Sequence, residues 1–240
     1  MGISKLERVI TAQRWCGERL VKNIGELFKT ADVLLAGGMV RDWYFHREGK
    51  DYDIYIEMPE GLGQTEAFMM LAGSGILENA SIMEKGDEGG QGYADAAVEM
   101  VVEGIATESH SNHLPAPAEG DPDPLTHVQV IFIKHFTVPV VNYVRDFFCC
   151  SLSKAWMNIN GNTSYHEDFV DSIRDKRITF NWDYAASEIN LKYVKKILKY
   201  FPDYDTDEDT LGNFRRQLSV SYMSDLIHLR EMLHNAKLTK

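Results

Sequence analysis

The segment GGMVRDWYFHREGKDYDIYI, residues 37–56, limits what this chain can fold into more than any other part of its sequence. An apolar run at 33–36 precedes it and predicts a short buried strand. Residues 39–47 are compatible with a short helix, and residues 52–57 alternate as a strand does. The segment therefore predicts a strand, a turn at two glycines, a helix and a second strand in immediate succession.

The glycines and the acidic pair of this segment suggest a site for a phosphorylated ligand. Gly37 and Gly38 allow the main chain to approach a phosphate closely, with helix N–H groups directed at it. Asp51 and Asp53 are two residues apart on the predicted strand, so their carboxylates project from the same face. That geometry suits a hard divalent ion, Mg²⁺ or Mn²⁺, that bridges to a nucleoside triphosphate. A tight turn would explain the glycines taken alone, but their fixed distance from the DxD pair favours the nucleotide site.

This segment resembles the first motif of class II tRNA nucleotidyltransferases (CCA-adding enzymes) and bacterial poly(A) polymerases, in the polymerase-beta-like nucleotidyltransferase superfamily. The family pattern GGxVRD, eight residues, DxD is met at Gly37, Gly38, Val40, Arg41, Asp42, Asp51 and Asp53. The resemblance implies that Asp51 and Asp53 are catalytic and hold the metal. It also implies that Gly37 and Gly38 cradle the phosphates, and that Arg41 lies near them or braces the turn. His46 replaces the usual glycine of the motif.

A second block supports the first. Residues 144–147, VRDF, match the core of the family sequence RRDFTINA. The resemblance implies that Arg145 pairs with phosphate and that Asp146 contacts the ribose hydroxyl of the incoming nucleotide, as their chemistry allows. Residues 147–158 are predicted to form a helix, so Asp146 as its N-cap and Arg145 as a surface residue are the alternatives.

Two departures from the family pattern affect function. The predicted strand at 127–133 offers Gln129 where the family usually has an acidic residue, and a neutral amide is a poor metal ligand. The base-selecting EDxxR motif is missing, because Glu208 and Asp209 are followed by Gly212 in place of the arginine. The nucleotide specificity of the family therefore does not carry over. The chain resembles shorter bacterial and phage nucleotidyltransferase-like proteins more than a full CCA-adding enzyme.

The remaining patterns predict an α+β fold, with a mixed sheet of the nucleotidyltransferase type, flanking helices and a helical C-terminal part. The two predicted regions are a nucleotidyltransferase-like domain, 1–184, and a helical region, 185–240. Further predicted elements are helices at 3–28, 67–72, 190–200 and 211–236, strands at 98–105 and 127–133, and an acidic connector at 203–209. His110, His113 and His127 match no zinc-ligand spacing and are interpreted as loop histidines.

The charge of the chain limits how it can bind nucleic acid. It has 25 basic and 36 acidic residues, a formal net charge of −11, so bulk electrostatics oppose phosphate binding. The best candidate for an RNA contact is the helix face of Lys192, Lys195, Lys196 and Lys199, for which a solvated face is the alternative. Three cysteines without a CxxC spacing, and no long apolar run, favour a cytoplasmic protein without a membrane partner.

These features together predict a metal-dependent nucleotidyltransferase that moves a nucleoside monophosphate from an NTP to an acceptor hydroxyl. The resemblance favours an RNA or tRNA 3′ end as acceptor. The acidic charge and the missing base-selecting motif favour a protein or small-molecule acceptor instead. A third possibility is a catalytically inactive binding or inhibitory protein on the same scaffold, for which Gln129 is the main support.

Overall fold

The fold was analysed in a computed structural model that describes residues 4–83, 97–107, 127–134, 139–180 and 191–206. The side chains of residues 191, 192 and 195 are not among those described. The predicted helix at 211–236 and the last residues of the acidic connector lie outside the described residues. The boundary between regions 1–184 and 185–240 stays a prediction.

The first helix of the described ranges begins at a capping signal in the sequence. The α-helices are α1 (Lys5–Phe28), α2 (Gly38–Tyr44), α3 (Gln64–Gly73), α4 (Val140–Asn142), α5 (Glu167–Asp175) and α6 (Leu191–Tyr200). A π-helix, Tyr143–Phe147, continues α4, and a 3₁₀ turn covers Ser151–Ser153. Ser4 and Glu7 form a capping box at the start of α1, which satisfies main-chain N–H groups that the first turn leaves without partners. Among the described residues, no helix is both long enough and apolar enough to cross a membrane.

Within the same ranges the strands form one large and one small sheet. They are β1 (Val33–Ala36), β2 (Tyr52–Glu57), β3 (Leu77–Ile82), β4 (Val98–Ala106), β5 (His127–Ile133), β6 (Ala155–Asn158), β7 (Thr163–Tyr165), β8 (Arg177–Ile178) and β9 (Asp205–Thr206). The large sheet has seven strands in the order β3-β4-β5-β2-β1-β6-β7, and β8 pairs with β9. Strands β2 and β5 are parallel, and the other neighbours in the large sheet are antiparallel. This mixed sheet with flanking helices confirms the predicted fold class.

The two faces of the large sheet bury different sets of side chains. One face packs under helices α1, α2, α3 and α6 and includes Tyr52, Ile54 and Ile56 of β2. The other face is covered in part by the segment 140–148 and includes Tyr55 of β2. Alternate residues of β2 therefore enter opposite layers, as the alternation in the sequence predicts.

The predicted helix at 147–158 is wrong. The helical stretch ends at Phe147, and residues 155–158 form β6 between β1 and β7. Ala155 and Met157 are fully buried and Trp156 and Asn158 are partly exposed, which is a period of two. Because β1 is buried, its main-chain N–H and C=O groups need hydrogen-bond partners within the protein. Pairing with β6 supplies some of them. The edge strand β3 was not predicted, because most of its residues are exposed and carry no periodic apolar signal.

Candidate active site

The turn at Gly37 and Gly38 joins β1 to α2 at one end of the sheet. Gly37 has φ +84° and ψ −131°, a conformation that side chains other than hydrogen rarely allow. Its N–H donates to the carbonyl oxygen of Ala155 at 2.9 Å, and its own carbonyl accepts from the N–H of Arg41 at 3.0 Å. Gly37 therefore shapes the turn, while its own N–H already has a partner within the protein.

Gln13 of α1 holds the connection between α2 and β2. Its Nε2 donates to the carbonyl oxygen of Gly49 at 3.0 Å, and its Oε1 accepts from the N–H of Gly49 at 3.0 Å and from Nε1 of Trp43 at 3.2 Å. Its carbonyl oxygen accepts from the Tyr52 hydroxyl at 3.1 Å. These bonds place the start of β2, and with it the acidic pair, against the buried face of helix α1.

Asp53 is the second residue of β2 and Asp51 directly precedes the strand, both on the face opposite the Tyr52, Ile54 and Ile56 layer. Asp51 is exposed and Asp53 is partly buried. Burial, followed by the negative charge of Asp51, raises the pKa of Asp53 to about 7. The positive charges of Lys196 and Arg41 lower it in part. Two carboxylates that repel each other in a partly buried place form a site that a divalent cation would stabilise.

Three further polar side chains share this face of the sheet. Gln129 is directly opposite Asp53 in the parallel pair of β2 with β5, and Glu103 is opposite Gln129 on β4. Nδ1 of His127 lies 3.3 Å from Oδ1 of Asp51, and its Nε2 lies 3.8 Å from Oε2 of Glu103. His127 is the first residue of β5, which confirms the predicted strand at 127–133 and shows that the interpretation of His127 as a loop histidine is wrong.

Glu103 is the carboxylate that sequence reasoning missed near the site. Its strand was predicted at 98–105, but nothing in the local pattern indicates that this strand pairs with the one that carries Gln129. The neutral amide of Gln129 thus lies between the carboxylates of Asp53 and Glu103 in the sheet. The other two histidines considered for zinc, at 110 and 113, lie outside the described residues.

Arg41 is buried behind the glycine turn. Its side chain lies over the rings of Tyr200 and Phe201, with the guanidinium carbon 5.5 Å from each ring centre, and its Nε donates to Oδ1 of Asp42 at 2.8 Å. Burial by itself lowers the pKa of Arg41, and the hydrogen bond and charge of Asp42 together raise it above its ordinary value. Since only 8% of Arg41 is exposed, these contacts support a role in bracing the turn over direct phosphate contact.

Arg145 and Asp146 are exposed on the π-helix next to the site. This segment is attached to the sheet by the N–H of Val140, which donates to Oδ2 of Asp32 at 3.1 Å. Its link to the glycine turn is Phe148, whose ring would lie 3.4 Å from a Cβ on Gly37. No helix begins at Phe147, so the alternative of Asp146 as a helix N-cap is wrong. The ribose and phosphate roles stay predictions.

Two lysines of α6, Lys196 and Lys199, have described side chains. Lys196 and Lys199 are both exposed, while Val194, Ile197 and Leu198 are buried in the core. Lys196 is close enough to Asp53 for its charge to lower the pKa of that carboxyl group. Of the two lysines of α6 whose side chains are described, Lys196 is therefore the one whose charge acts on the acidic pair.

Comparison with solved structures identifies the fold. A CCA-adding enzyme in complex with CTP matches with a TM-score of 0.52 at 13% identity, covering 92% of this chain and 46% of that enzyme. The Thermotoga maritima CCA-adding enzyme complexed with tRNA matches with a TM-score of 0.50 at 14% identity, covering 87% of this chain and 42% of that enzyme.

The chain has a nucleotidyltransferase-like fold. It spans less than half the length of these two solved enzymes. Neither the protein-family models nor the curated proteins include a match to this sequence.

The two carboxylates of the acidic pair are too few to enclose a metal ion without other ligands. Across the ranges that the structure describes, no three histidine, cysteine, aspartate or glutamate side chains are grouped so as to hold a metal by themselves. Mg²⁺ is commonly held by one or two carboxylates together with substrate phosphates and water. Asp51 and Asp53 supply that number of carboxylates, so the remaining ligands would come from a triphosphate and from solvent.

Proposed function

We propose that this protein is a metal-dependent nucleotidyltransferase that moves a nucleoside monophosphate from an NTP to an acceptor hydroxyl. The observation that carries the proposal is the acidic pair Asp51 and Asp53, at the start of β2 and at the end of the sheet where the Gly37 turn also lies. The raised pKa of Asp53 supports it, because a substrate-bound cation would relieve the repulsion between the two carboxylates. The nucleotidyltransferase-like fold is compatible with this chemistry.

Asp51 and Asp53 would hold the Mg²⁺ or Mn²⁺. When bound, such an ion neutralises the triphosphate and activates the acceptor oxygen. Gly37 and Gly38 let the phosphates approach the main chain, and Arg41 braces that turn from behind. Arg145 would pair with phosphate and Asp146 would accept a hydrogen bond from the ribose hydroxyl.

We propose an RNA 3′ end, such as that of tRNA, as the acceptor. Among the structures similar to this chain, the Thermotoga maritima enzyme is complexed with tRNA. The exposed lysines of α6 are the surface that could attract RNA. The alternative is a protein or small-molecule acceptor, which the net charge of −11 supports because it opposes binding of a polyanion.

Incubation of the protein with labelled NTPs, Mg²⁺ and total RNA tests both the activity and the acceptor. We expect label on RNA, whereas label on protein or on a small molecule would support the alternative acceptors. Asp51→Ala and Asp53→Ala should each lower the transfer rate on the order of 10³-fold or more, because each removes a carboxylate from the metal site. Glu66→Ala, at an exposed carboxylate of α3, is the matched control and should keep full activity.

Circular dichroism of the same variants verifies that the fold is intact. Transfer at the wild-type rate by either aspartate variant would show that the metal assignment is wrong. No label on any acceptor from the wild-type protein would favour the inactive binding protein for which Gln129 is the sequence argument.

A further inference from the structure

Trp156 lies in the same row of the large sheet as Asp53. Continued by one residue, the antiparallel register of β1 with β2 puts Ala36 opposite Asp53. On its other side, Ala36 is paired with Trp156 of β6. Since neighbouring strands are about 4.8 Å apart, the main chain of Trp156 lies about 10 Å from that of Asp53. A single nucleotide is long enough to span that distance.

The side chains of this row project from the same face of the sheet. Ala36 and Tyr55 belong to the core layer on that face, and Trp156 packs against the same layer. Asp53 is two residues from Tyr55 along β2, so its side chain points to that face as well. The row therefore places a carboxylate of the acidic pair and an indole ring on one surface.

The glycine turn lies directly beside Trp156. The N–H of Gly37 donates at 2.9 Å to the carbonyl oxygen of Ala155, the residue before Trp156. The ring of Phe148 would lie 3.4 Å from a Cβ on Gly37, and its centre is 5.2 Å from that of the Tyr55 ring. Phe148 and Trp156 are both partly exposed. Two aromatic side chains thus border the turn, on the face of the sheet that carries the acidic pair.

The indole of Trp156 differs from those of two other tryptophans. Nε1 of Trp43 donates to Oε1 of Gln13 at 3.2 Å. The guanidinium carbon of Arg19 lies over the ring of Trp15, 4.7 Å from its centre. Within the ranges that the structure describes, the indole of Trp156 makes neither a hydrogen bond nor a ring contact of this kind. A partly exposed ring without such a contact can offer its apolar face to a ligand.

We propose that Trp156 stacks on the nucleobase of the bound NTP. This inference rests on the proposed function, because phosphates at the glycine turn and a cation at the acidic pair would bring the base within reach of the indole. Stacking uses the π-face that every base has, so this contact would bind all four NTPs. The sequence agrees with such tolerance, since Gly212 replaces the arginine of the base-selecting EDxxR motif.

Calorimetry with the full chain tests the proposal, using non-hydrolysable analogues of ATP and CTP and inorganic triphosphate, each with Mg²⁺. Trp156→Val removes the ring but keeps a β-branched residue suited to a strand. It should weaken binding of both analogues about ten-fold or more and leave the affinity for inorganic triphosphate, which has no base, unchanged. Trp156→Phe should restore much of the analogue affinity, because a phenyl ring also stacks.

The matched control is Trp15→Leu, which removes a partly exposed tryptophan from α1 on the other side of the sheet. This variant should keep all three affinities. Circular dichroism verifies that each variant is folded.

Tryptophan fluorescence gives a readout that a merely structural role would not change. Stacking of a base on Trp156 should quench its emission when the ATP analogue binds. The quenching should persist in Trp15→Phe and disappear in Trp156→Phe, although that variant still binds the analogue.

Each other outcome has a distinct meaning. Equal loss of analogue and inorganic triphosphate binding by Trp156→Val would overturn the inference, because the ring would then act on the phosphates or on the fold. Analogue binding at the wild-type affinity, with transfer retained, would overturn it and leave the proposed function in place. A raised KM for RNA at unchanged analogue affinity would also overturn it and would assign Trp156 to the acceptor. A folded wild-type protein that neither binds the analogues nor transfers label would overturn the proposed function itself.

Discussion

The partly buried carboxyl group of Asp53 couples the stability of this protein to pH. Its pKa is raised from 3.8 to about 7, first by burial and then by the charge of Asp51. The folded state therefore binds a proton more tightly than the unfolded chain does. Between about pH 4 and pH 7 the free energy of unfolding should fall as pH rises, and it should level off above the folded pKa.

Asp53→Asn should remove this pH dependence. We expect the metal-free variant to be about 2–4 kcal/mol more stable than the wild type at pH 8, with little difference at pH 4, because the amide carries no charge to desolvate. Urea unfolding in EDTA at both pH values measures this difference. Glu66→Gln is the control and should follow the wild-type profile. Parallel profiles for Asp53→Asn and the wild type would contradict the assigned environment of Asp53.

At the scale of the element, the connection between α2 and β2 explains one departure from the family motif. His46 occupies the position of the usual glycine and has φ +51°, the left-handed conformation that glycine adopts without strain. The same turn is held by Gln13 through Gly49. A backbone conformation suited to glycine is thus present here in a histidine.

Substitutions at His46 should follow the backbone preference of the new residue. Its side chain is exposed, so packing changes little. His46→Gly should alter the free energy of unfolding by less than about 1 kcal/mol, and His46→Asn should also be tolerated. His46→Val should lose about 1–2 kcal/mol, because a β-branched residue is strained in the left-handed region. Chemical denaturation of the three variants provides the comparison, and equal stability of the Gly and Val variants would rule out this explanation.

For the whole molecule, the net charge of −11 makes any RNA binding depend on a local basic surface. The sequence predicts that surface at Lys192, Lys195, Lys196 and Lys199. Lys196 is left unchanged in the test because its charge acts on Asp53, so the substitutions are at Lys192, Lys195 and Lys199. Changing these three lysines to glutamine should weaken RNA binding and lower the slope of log K against log salt by about 0.7–0.9 for each phosphate that the protein no longer neutralises. Binding of the ATP analogue should not change.

The matched control changes Lys5, Lys22 and Lys29 of the α1 region to glutamine, which alters the net charge equally. Titration of a labelled RNA at several salt concentrations measures the slope for both variants and the wild type. If the two triple variants reduce affinity and slope to the same extent, binding depends on total charge and the α6 surface is not the RNA site.

Particular residues show how far sequence reasoning reaches. The spacing of the acidic pair was enough to place Asp51 and Asp53 on the expected face, and the glycine turn has the positive φ that its sequence suggests. The strand at 155–158 was mistaken for helix because its period of two is short and follows a helical signal. Strand β6 pairs with β1, which lies more than a hundred residues earlier in the chain. The local pattern of residues 155–158 does not specify that partner.

The sequence by itself determined the local geometry of the site, because side-chain direction along one strand and backbone freedom at a glycine depend on neighbouring residues alone. The tertiary structure alone decided what surrounds that geometry: Gln129, Glu103 and His127 beside the acidic pair, and Lys196 from a distant helix. The physical reason is that pairing of strands and packing of helices depend on contacts between segments far apart in sequence. A local pattern gives each segment its apolar face but does not specify which partner covers it.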